Sequence, residues 1–358
     1  MPSNRLKPVR PMAPPMRAIG FERHGGPEVL QRLDAPRPEP GPGEVRVRVE
    51  ACALNHLDIF VRAGWPGLEL ALPHWSGSDI AGVVDAVGPG VDPARVGAPV
   101  VVDPVVNCGH CAACTRGDAS LCDTFHLTGE HVRGGLAEHV VVRERNALPR
   151  PSGVDAVTAA AVPVTFMTAW RGLVTRAGVG PGARVLVLGA GGGLATACIQ
   201  VAKLQGATVL ATTSSPQKAE RARALGADVV VDYRQDPKWS KAVFEATGRR
   251  GVDVVVDSVG GATWIDSLRA ARRGGTILVP GATTGDADRA GLHHIFWKQL
   301  SVLGSTMGSS ADLRTVLDHV AAGRLRPVVD RVFTLDEGLD AFAYLEKGEQ
   351  FGKVVLTP

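Results

Sequence analysis

The sequence predicts an α/β protein in which a doubly wound parallel-sheet domain is inserted into a β-rich domain. Short alternating runs fill the chain up to residue 150, and apolar strands alternate with helical stretches from residue 151 to 303. Residues 304–358 hold one helical stretch and a closing strand. Because strands that recur with helices between them form a parallel sheet covered on both faces, the central region predicts a sheet of that kind.

Length and composition are those of a globular protein. The chain has 358 residues, enough for two domains, with 45% hydrophobic and 21% charged residues and a net charge of +3. It has no long run of Lys or Arg, so nucleic acid is not a favoured partner. No stretch approaches the roughly 18 apolar residues that span a bilayer, and residues 1–15 do not resemble a signal peptide. We therefore expect a cytoplasmic protein without a membrane partner, whose residues 1–15 form a flexible N-terminal extension.

The first domain, residues 16–150, is predicted from short strands. Runs such as EVRVRV at residues 44–49 and AGVVDAV at residues 81–87 are separated by turn clusters. Residues 304–358 are too few for a domain of their own. Their helical stretch around Ala311–Ala322 and the closing strand GKVVLTP are predicted to return and complete the first domain. A cleft between the two domains is the expected ligand site.

A lobe at residues 104–125 carries four cysteines with the spacing C-x2-C-x2-C-x7-C: Cys108, Cys111, Cys114 and Cys122. Four thiolates this close in sequence, among small residues, fit a tetrahedral Zn²⁺ site. Such a closed shell leaves no coordination position for a substrate, so the lobe predicts one structural zinc per chain. Redox-active or disulfide-forming cysteines are the alternative, which a reducing compartment disfavours.

A glycine-rich turn follows the apolar run Val185–Leu188 and precedes a helical pattern. The order strand, turn, helix favours binding of a phosphate at the helix N-terminus. The turn is a variant of the dinucleotide fingerprint, Ala190-x-Gly192-x-x-Ala195. The residues predicted to hold a pyrophosphate are Gly191, Gly192, Gly193, Leu194 and Ala195.

Together with the cysteine lobe and the domain order, several stretches carry a family resemblance over nearly the whole chain after residue 15. They are GPEVL, GPGEVRVRV, AGVVDAVGPGV, TAW, DSVGG and GKVVL. The chain resembles the medium-chain dehydrogenase/reductase superfamily of zinc alcohol dehydrogenases and quinone oxidoreductases. The resemblance implies a GroES-like catalytic domain at residues 16–150 and 304–358, a Rossmann domain at 151–303, and hydride transfer with a nicotinamide cofactor.

The alcohol dehydrogenases of this superfamily also carry a catalytic zinc, held by two cysteines and a histidine. In the matching stretches of this sequence the three positions are Asn55, Ser78 and Val164. Zinc requires thiolate, imidazole or carboxylate donors around an open position. We therefore expect the catalytic zinc to be absent and the structural zinc to be kept.

The cofactor is predicted from the end of the second strand of the Rossmann domain. An acidic residue there binds the ribose of NAD, whereas this chain has Thr213, followed by Ser214, Ser215 and Lys218. Hydroxyl groups and an ammonium suit the 2′-phosphate of NADPH, which a carboxylate would repel. Tyr233 resembles the family aromatic that lies against adenine.

Further cofactor contacts are implied by the resemblance. Thr168 and Asn55 match positions that touch the nicotinamide half in the quinone oxidoreductases. Gly281 and Ala282 follow the strand TILVP, where backbone groups meet the nicotinamide. Lys353 is expected to reach back to the phosphates.

Without a catalytic metal, the negative charge that follows hydride addition must be delocalised or hydrogen-bonded. This favours an electrophilic small molecule, either a quinone or a carbonyl-conjugated C=C bond. The catalytic candidates are Asn55, His56, Asp58 and Ser78, with His131 or water as further proton sources.

Two other functions stay open at this point. One is an alcohol or aldehyde oxidoreductase that lacks a catalytic metal or recruits one through His56, Asp79 and Cys52. The other is a cofactor-binding protein without turnover. Strands near residues 296–305 are expected to extend the Rossmann sheet across a two-fold axis into a homodimer, with a tetramer left open.

Overall fold

The computed structural model describes residues 14–358, so most of the predicted N-terminal extension lies outside the described residues. Pro15, the last residue of that extension, already belongs to a strand. The strands are β1 (Pro15–Gly20), β2 (Gln31–Pro36), β3 (Glu44–Ala53), β4 (Asp79–Val87), β5 (Pro99–Val102), β6 (Val105–Val106), β7 (His126–Leu127), β8 (His139–Arg143), β9 (Ala147–Pro149), β10 (Arg184–Val187), β11 (Thr208–Thr213), β12 (Val229–Asp232), β13 (Val252–Val256), β14 (Ala271–Val279), β15 (Ser301–Gly304), β16 (Val329–Thr334) and β17 (Lys353–Thr357).

Helices connect these strands, most densely in the second half of the chain. They are α1 (His56–Ala63), α2 (Ala112–Thr115), α3 (Ala156–Ala160), α4 (Pro163–Trp170), α5 (Gly193–Leu204), α6 (Pro216–Ala224), α7 (Trp239–Ala246), α8 (Trp264–Ala270), α9 (Leu292–Lys298), α10 (Ser310–Ala321) and α11 (Gly338–Lys347). A π-helical segment, Arg171–Arg176, continues α4. Among residues 14–358, no helix is both long and apolar enough to cross a membrane.

The central region forms a six-stranded sheet in the order β12-β11-β10-β13-β14-β15, and every neighbouring pair is parallel. Val185, Leu186 and Val187 of β10 are buried, as expected for a strand covered on both faces. Val187 is level with Ala211 of β11 and Val256 of β13. The carboxyl ends of these strands therefore form one edge, where open α/β sheets bind ligands. The predicted fold class is confirmed.

The main sheet of the β-rich domain is mostly antiparallel and has the order β16-β17-β3-β4-β5-β9, with β8 paired to β3. Two-stranded sheets, β1-β2 and β6-β7, accompany it. The C-terminal strand β17 pairs with β3, with Val355 opposite Ala53 and Leu356 opposite Cys52. The parallel sheet ends at Gly304 and the first returning strand begins at Val329. The end of the chain thus lies in the same sheet as its first half.

A backbone contact joins the two domains at the glycine turn. Gly192 forms an isolated parallel bridge with Gly352, and the Gly352 N–H donates to the Gly191 carbonyl at 2.9 Å. Lys353, the next residue, begins β17. This contact places the start of β17 beside the N-terminus of α5.

The predicted strand at residues 296–305 is only partly correct. Phe296–Lys298 belong to α9, and the strand begins at Ser301 because Gln299 adopts a left-handed conformation that ends the helix. β15 is an edge strand, and Phe296 and Trp297 are 61% and 67% exposed. The homodimer stays a prediction.

Candidate functional site

A cavity of about 490 Å³ lies between the two domains. Its walls come from the loop before α1, the glycine turn, the end of β14 and the start of β17. Of the residues predicted for the site, those that line it are Asn55, His56, Thr168, Gly192, Gly193, Leu194, Ala195, Gly281, Ala282 and Lys353. Most of these residues are predicted to contact the nicotinamide half or the pyrophosphate of the cofactor. They come from both domains and line one cleft.

The glycine turn forms a cradle at the N-terminus of α5. Gly189 has a φ of +66°, a conformation that a side chain disfavours, and Gly192 is the N-cap of the helix. A Cβ atom on Gly193 would lie 2.6 Å from Lys353 Cδ. The N–H groups of the first helical turn have no intrahelical acceptor and here border the cavity. This cradle fits the pyrophosphate of a dinucleotide.

The side of the turn that would face the cofactor's ribose carries cations and hydroxyl groups. Thr213 ends β11 and is buried, with its hydroxyl 3.5 Å from the Ala190 carbonyl. Ser215 caps α6 by accepting a hydrogen bond from the Lys218 N–H at 3.2 Å. Lys218 Nζ lies 3.3 Å from the point where a Cβ of Gly191 would stand. The end of β11 thus has a lysine across the phosphate turn and no carboxylate.

Other charges surround Lys218. Burial lowers the pKa of Lys218, Arg234 and Arg221 lower it further, and Asp330 opposes them. Its ammonium donates to the Gly348 carbonyl at 2.6 Å. The Tyr233 N–H donates to the Thr213 carbonyl at 3.0 Å, which places this 40% exposed residue beside the end of β11. Ser214, like Ser215, is half-buried. Lys218, Arg221 and Arg234 thus lie near one another at this side of the turn, with the Asp330 and Glu349 carboxylates close by.

Asn55 and Val164, two of the three positions that the resemblance matches to catalytic zinc ligands, contact a buried ionic network. Lys353 Nζ lies 2.8 Å from Asp79 Oδ2 and donates to Asn55 Oδ1 at 2.6 Å. Asn55 Nδ2 donates to Asp79 Oδ2 at 2.9 Å, and the Val164 N–H donates to Asp79 Oδ1 at 2.6 Å. The Lys353 and Asp79 side chains are 3% and 0% exposed. The sequence-based expectation for Lys353 was a phosphate contact, whereas its ammonium lies on this network.

The network fixes the orientation of the Asn55 amide. An ammonium only donates hydrogen bonds and a carboxylate only accepts them, so Oδ1 must face Lys353 and Nδ2 must face Asp79. One hydrogen of Nδ2 is used by Asp79. The other remains for a group in the cavity, which Asn55 lines.

Asp58 and Ser78 do not line the cavity. Asp58 is fully buried and accepts from the N–H groups of Asn55 at 2.7 Å and Gly77 at 2.9 Å. This bonding caps α1, and burial raises the pKa of Asp58 to about 6. Ser78 is also fully buried, and its hydroxyl has no hydrogen-bond partner among the described residues. The structure therefore places these two catalytic candidates behind the wall of the cleft.

His56 and Glu130 are the other titratable groups of the cavity beside Lys353. Burial lowers the pKa of His56 below its usual 6.5, so the imidazole is neutral at pH 7. Glu130 is not among the candidates predicted from the sequence. Its side chain is 14% exposed, and burial raises its pKa to about 7. Its neighbour His131, a predicted proton source, does not line the cavity. The feature of the sequence that could have indicated Glu130 is its carboxylate within the glycine-rich loop GEHVRGG.

The four predicted zinc ligands come together in the lobe. The sulfur atoms of Cys108, Cys111, Cys114 and Cys122 all lie within 4.8 Å of one another, and none of these cysteines forms a disulfide. Cys108 Sγ is 3.8 Å from Cys114 Sγ and 3.6 Å from Cys122 Sγ. Sulfur atoms bound about 2.3 Å from a zinc ion lie about 3.8 Å apart in a tetrahedron. The cluster has the composition and spacing of a zinc site.

Comparison with known proteins agrees with this arrangement. The family described as "Alcohol dehydrogenase GroES-like domain" matches residues 41–152, and "Zinc-binding dehydrogenase" matches residues 193–322. A NAD-dependent alcohol dehydrogenase of Saccharolobus solfataricus is 30% identical over 96% of this chain and all of that protein. A 2-methylene-furan-3-one reductase of Solanum lycopersicum is 31% identical over 96% of this chain and 79% of that protein.

Solved structures extend the comparison. The crystal structure of a NAD-dependent alcohol dehydrogenase is 47% identical with a TM-score of 0.92, covering 96% of this chain and all of that one. A crotonyl-CoA carboxylase/reductase, AntE, in complex with NADP is 26% identical with a TM-score of 0.86, covering 98% of this chain and 96% of that one. The chain belongs to the medium-chain dehydrogenase/reductase superfamily. It is an oxidoreductase of the zinc-type, alcohol dehydrogenase-like class, with a zinc site and a nicotinamide cofactor.

Proposed function

We propose that this protein is an NADPH-dependent reductase of quinones or of C=C bonds conjugated to a carbonyl group, and that it works without a catalytic metal. The observation that carries the proposal is the buried network of Asn55, Asp79 and Lys353. It lies where the alcohol dehydrogenases of the superfamily hold their catalytic zinc, and it brings its own cation.

The donor set at this position does not suit zinc. Asn55, Ser78 and Val164 offer an amide, a hydroxyl and an apolar side chain. The alternative set of His56, Asp79 and Cys52 is no better. Asp79 is already paired with an ammonium 2.8 Å away, and burial raises the pKa of the Cys52 thiol well above its usual range. Zinc binds thiolates, imidazoles and free carboxylates, so neither set forms a site.

The chain's residues supply hydrogen bonding in place of a metal. A bound nicotinamide cofactor supplies the hydride. Negative charge then develops on the carbonyl oxygen of the substrate, and the free Nδ2 hydrogen of Asn55 is available to stabilise it. Lys353 and Asp79 hold that amide in one orientation, so little reorganisation accompanies the reaction. A conjugated substrate spreads the charge and needs less electrostatic stabilisation than a simple ketone.

NADPH is proposed as the cofactor because of the residues after β11. Thr213 replaces the acid that binds the ribose of NAD, and Lys218 lies across the turn that would hold the pyrophosphate. The AntE structure named above is a complex with NADP. The tomato relative is named a reductase of a methylene-furanone, which has a C=C bond conjugated to a carbonyl.

Oxidation of an alcohol with NAD is the second candidate. The names of the Saccharolobus relative and of the solved structure with 47% identity favour it. It requires a metal or another group that lowers the pKa of the alcohol, and it predicts activity on simple alcohols.

The test is oxidation of NADPH and of NADH by purified protein, followed at 340 nm with quinones, enones, aldehydes and, in reverse, alcohols. We expect turnover of quinones or enones with NADPH at a higher kcat/KM than with NADH. Activity confined to simple alcohols would favour the second candidate. Cofactor binding without oxidation by any of these electrophiles would favour a protein without turnover.

A further inference from the structure

We infer that the carboxyl group of Glu130 is the proton donor of the proposed reduction, delivering a proton to the carbon next to the substrate carbonyl. The inference rests on the proposed function and names a residue for its second half-step. It starts from the composition of the cavity wall. Among the described residues that line the cavity, the titratable side chains are His56, Glu130 and Lys353.

Two of these three groups are poorly suited to protonate carbon. The Lys353 ammonium is held by Asp79 and Asn55, and releasing its proton would leave the Asp79 carboxylate buried without a counter-charge. His56 is a neutral imidazole at pH 7, because burial lowers its pKa. Glu130 is the acidic side chain among the described residues of the wall.

The backbone holds Glu130 beside the network. Gly129, the preceding residue, has a φ of +85° and packs directly on Gly77, so that a Cβ at Gly129 would lie 2.7 Å from the Gly77 carbonyl carbon. Gly77 is two residues before Asp79. The Glu130 N–H donates to the Leu127 carbonyl at 3.2 Å, and the Gly129 N–H donates to the Val132 carbonyl at 2.8 Å. These contacts fix the turn, and Glu130 lines the cavity.

The surroundings bring the pKa of the Glu130 carboxyl into the neutral range. Burial raises the pKa of Glu130 to about 7, and the negative charge of Asp58 adds to this. His131 Nδ1 is 3.8 Å from Glu130 Oε1, and His74 contacts the Gly129 carbonyl at 3.4 Å. The Arg133 guanidinium of the same loop donates to the Pro73 carbonyl and lies over the Trp75 ring. Burial lowers the pKa of both imidazoles, that of His74 to about 4. A general acid is most effective when its pKa is near the working pH.

The substrate takes up a hydride, with its two electrons, at the β-carbon, and the C=C electron pair moves toward the carbonyl as an enolate. The O–H bond of Glu130 breaks and a C–H bond forms at the α-carbon. The substrate gains two electrons and two hydrogens, NADPH is oxidised to NADP⁺, and the Glu130 carboxylate regains a proton from water.

The test compares Glu130→Gln with the wild type, using NADPH and an enone that the wild type reduces. We expect kcat to fall about 100-fold, the usual size of a lost general acid. The wild-type kcat should fall as the pH rises through about 7, where Glu130 loses its proton, while the variant should show no such fall. NADPH affinity, measured by fluorescence, should stay within twofold. Glu245→Gln, on the exposed face of α7, is the matched control and should behave as the wild type.

Glu130→Asp keeps an acid with a shorter reach, and it should retain the fall of kcat with pH at a lower kcat. A Glu130→Gln variant with wild-type kcat and an unchanged pH profile would overturn the inference and leave the proposed function standing. If Glu130→Gln does not fold, a wild-type kcat that stays constant between pH 6 and 8 would overturn it equally. A wild type that reduces no conjugated alkene or quinone would overturn the proposed function and this inference together.

Discussion

The cysteine lobe and the floor of the interdomain cleft are the two places where zinc alcohol dehydrogenases hold metal, and in this chain they differ completely. In the lobe, four sulfur atoms lie within 4.8 Å of one another. In the cleft, Asp79 is paired with the ammonium of Lys353 at 2.8 Å. Both places gather negative charge that needs a cation. The lobe takes that cation from solution, whereas the cleft takes it from the chain.

The difference teaches that one fold can balance buried negative charge in two ways. Thiolates forced together repel each other until a cation binds, so the lobe depends on zinc. A buried carboxylate with a covalently supplied ammonium needs no ion, and the surrounding sheet can close over it. Each place can therefore be tested by removing its cation.

The largest effect is expected when one of the four zinc ligands of the lobe is replaced. Replacing Cys114 with Ser should reduce zinc from one ion per chain to almost none, because structural zinc sites lose binding when one of four ligands is removed. The number of zinc ions per chain is measured by inductively coupled plasma mass spectrometry after dialysis. Cys198→Ser, a change in a buried thiol of α5, is the control and should keep its zinc. Two tightly bound zinc ions per wild-type chain would mean that a second site outside the lobe holds zinc, which would contradict the contrast between the lobe and the cleft.

Removing the Lys353 ammonium from the cleft is expected to have a smaller effect than removing a zinc ligand from the lobe. Lys353→Met leaves the Asp79 carboxylate buried without a counter-charge and should lower the free energy of unfolding by about 3–5 kcal/mol. It also frees the Asn55 amide to rotate, so kcat should fall even where the variant is folded. Urea unfolding and steady-state kinetics measure the two consequences.

A double variant separates charge from packing in that network. Lys353→Met combined with Asp79→Asn removes both charges and keeps an acceptor for the Val164 N–H. It should regain most of the lost stability without regaining kcat. If Lys353→Met alone unfolds within about 1 kcal/mol of the wild type, the size expected of an exposed pair, the ammonium is not the cation that the cleft requires.

The smallest effect concerns a second lysine, at the cofactor edge of the cleft. Lys218→Gln should weaken NADPH binding about tenfold, the loss of roughly 1.4 kcal/mol of charge-assisted hydrogen bonding, and leave NADH binding nearly unchanged. Fluorescence titration with each cofactor measures this, and Lys241→Gln on the exposed side of α7 serves as control. Equal weakening of NADPH and NADH binding would mean that the Lys218 ammonium contacts the pyrophosphate, which both cofactors share. Lys218 would then give no preference for NADPH.

Much of the architecture could be predicted because it depends on local patterns. The alternation of apolar strands and helices indicated the parallel sheet, and the helix expected around residues 311–322 is α10, Ser310–Ala321. The strand predicted across Phe296–Lys298 was wrong, since an apolar stretch of that length fits either a strand or a short helix. The cysteine lobe was predictable because all its ligands lie within one short loop.

The sequence by itself determined the fold class and the four-cysteine ligand set, because each depends on residues close together in the chain or on a spaced motif. Only the tertiary structure decided which groups meet beside Asn55. Asn55, Asp79 and Lys353 are far apart in sequence, and the pairing of β17 with β3 brings them within 2.9 Å of one another. Glu130 became a candidate in the same way, since burial, which no local pattern records, raises its pKa.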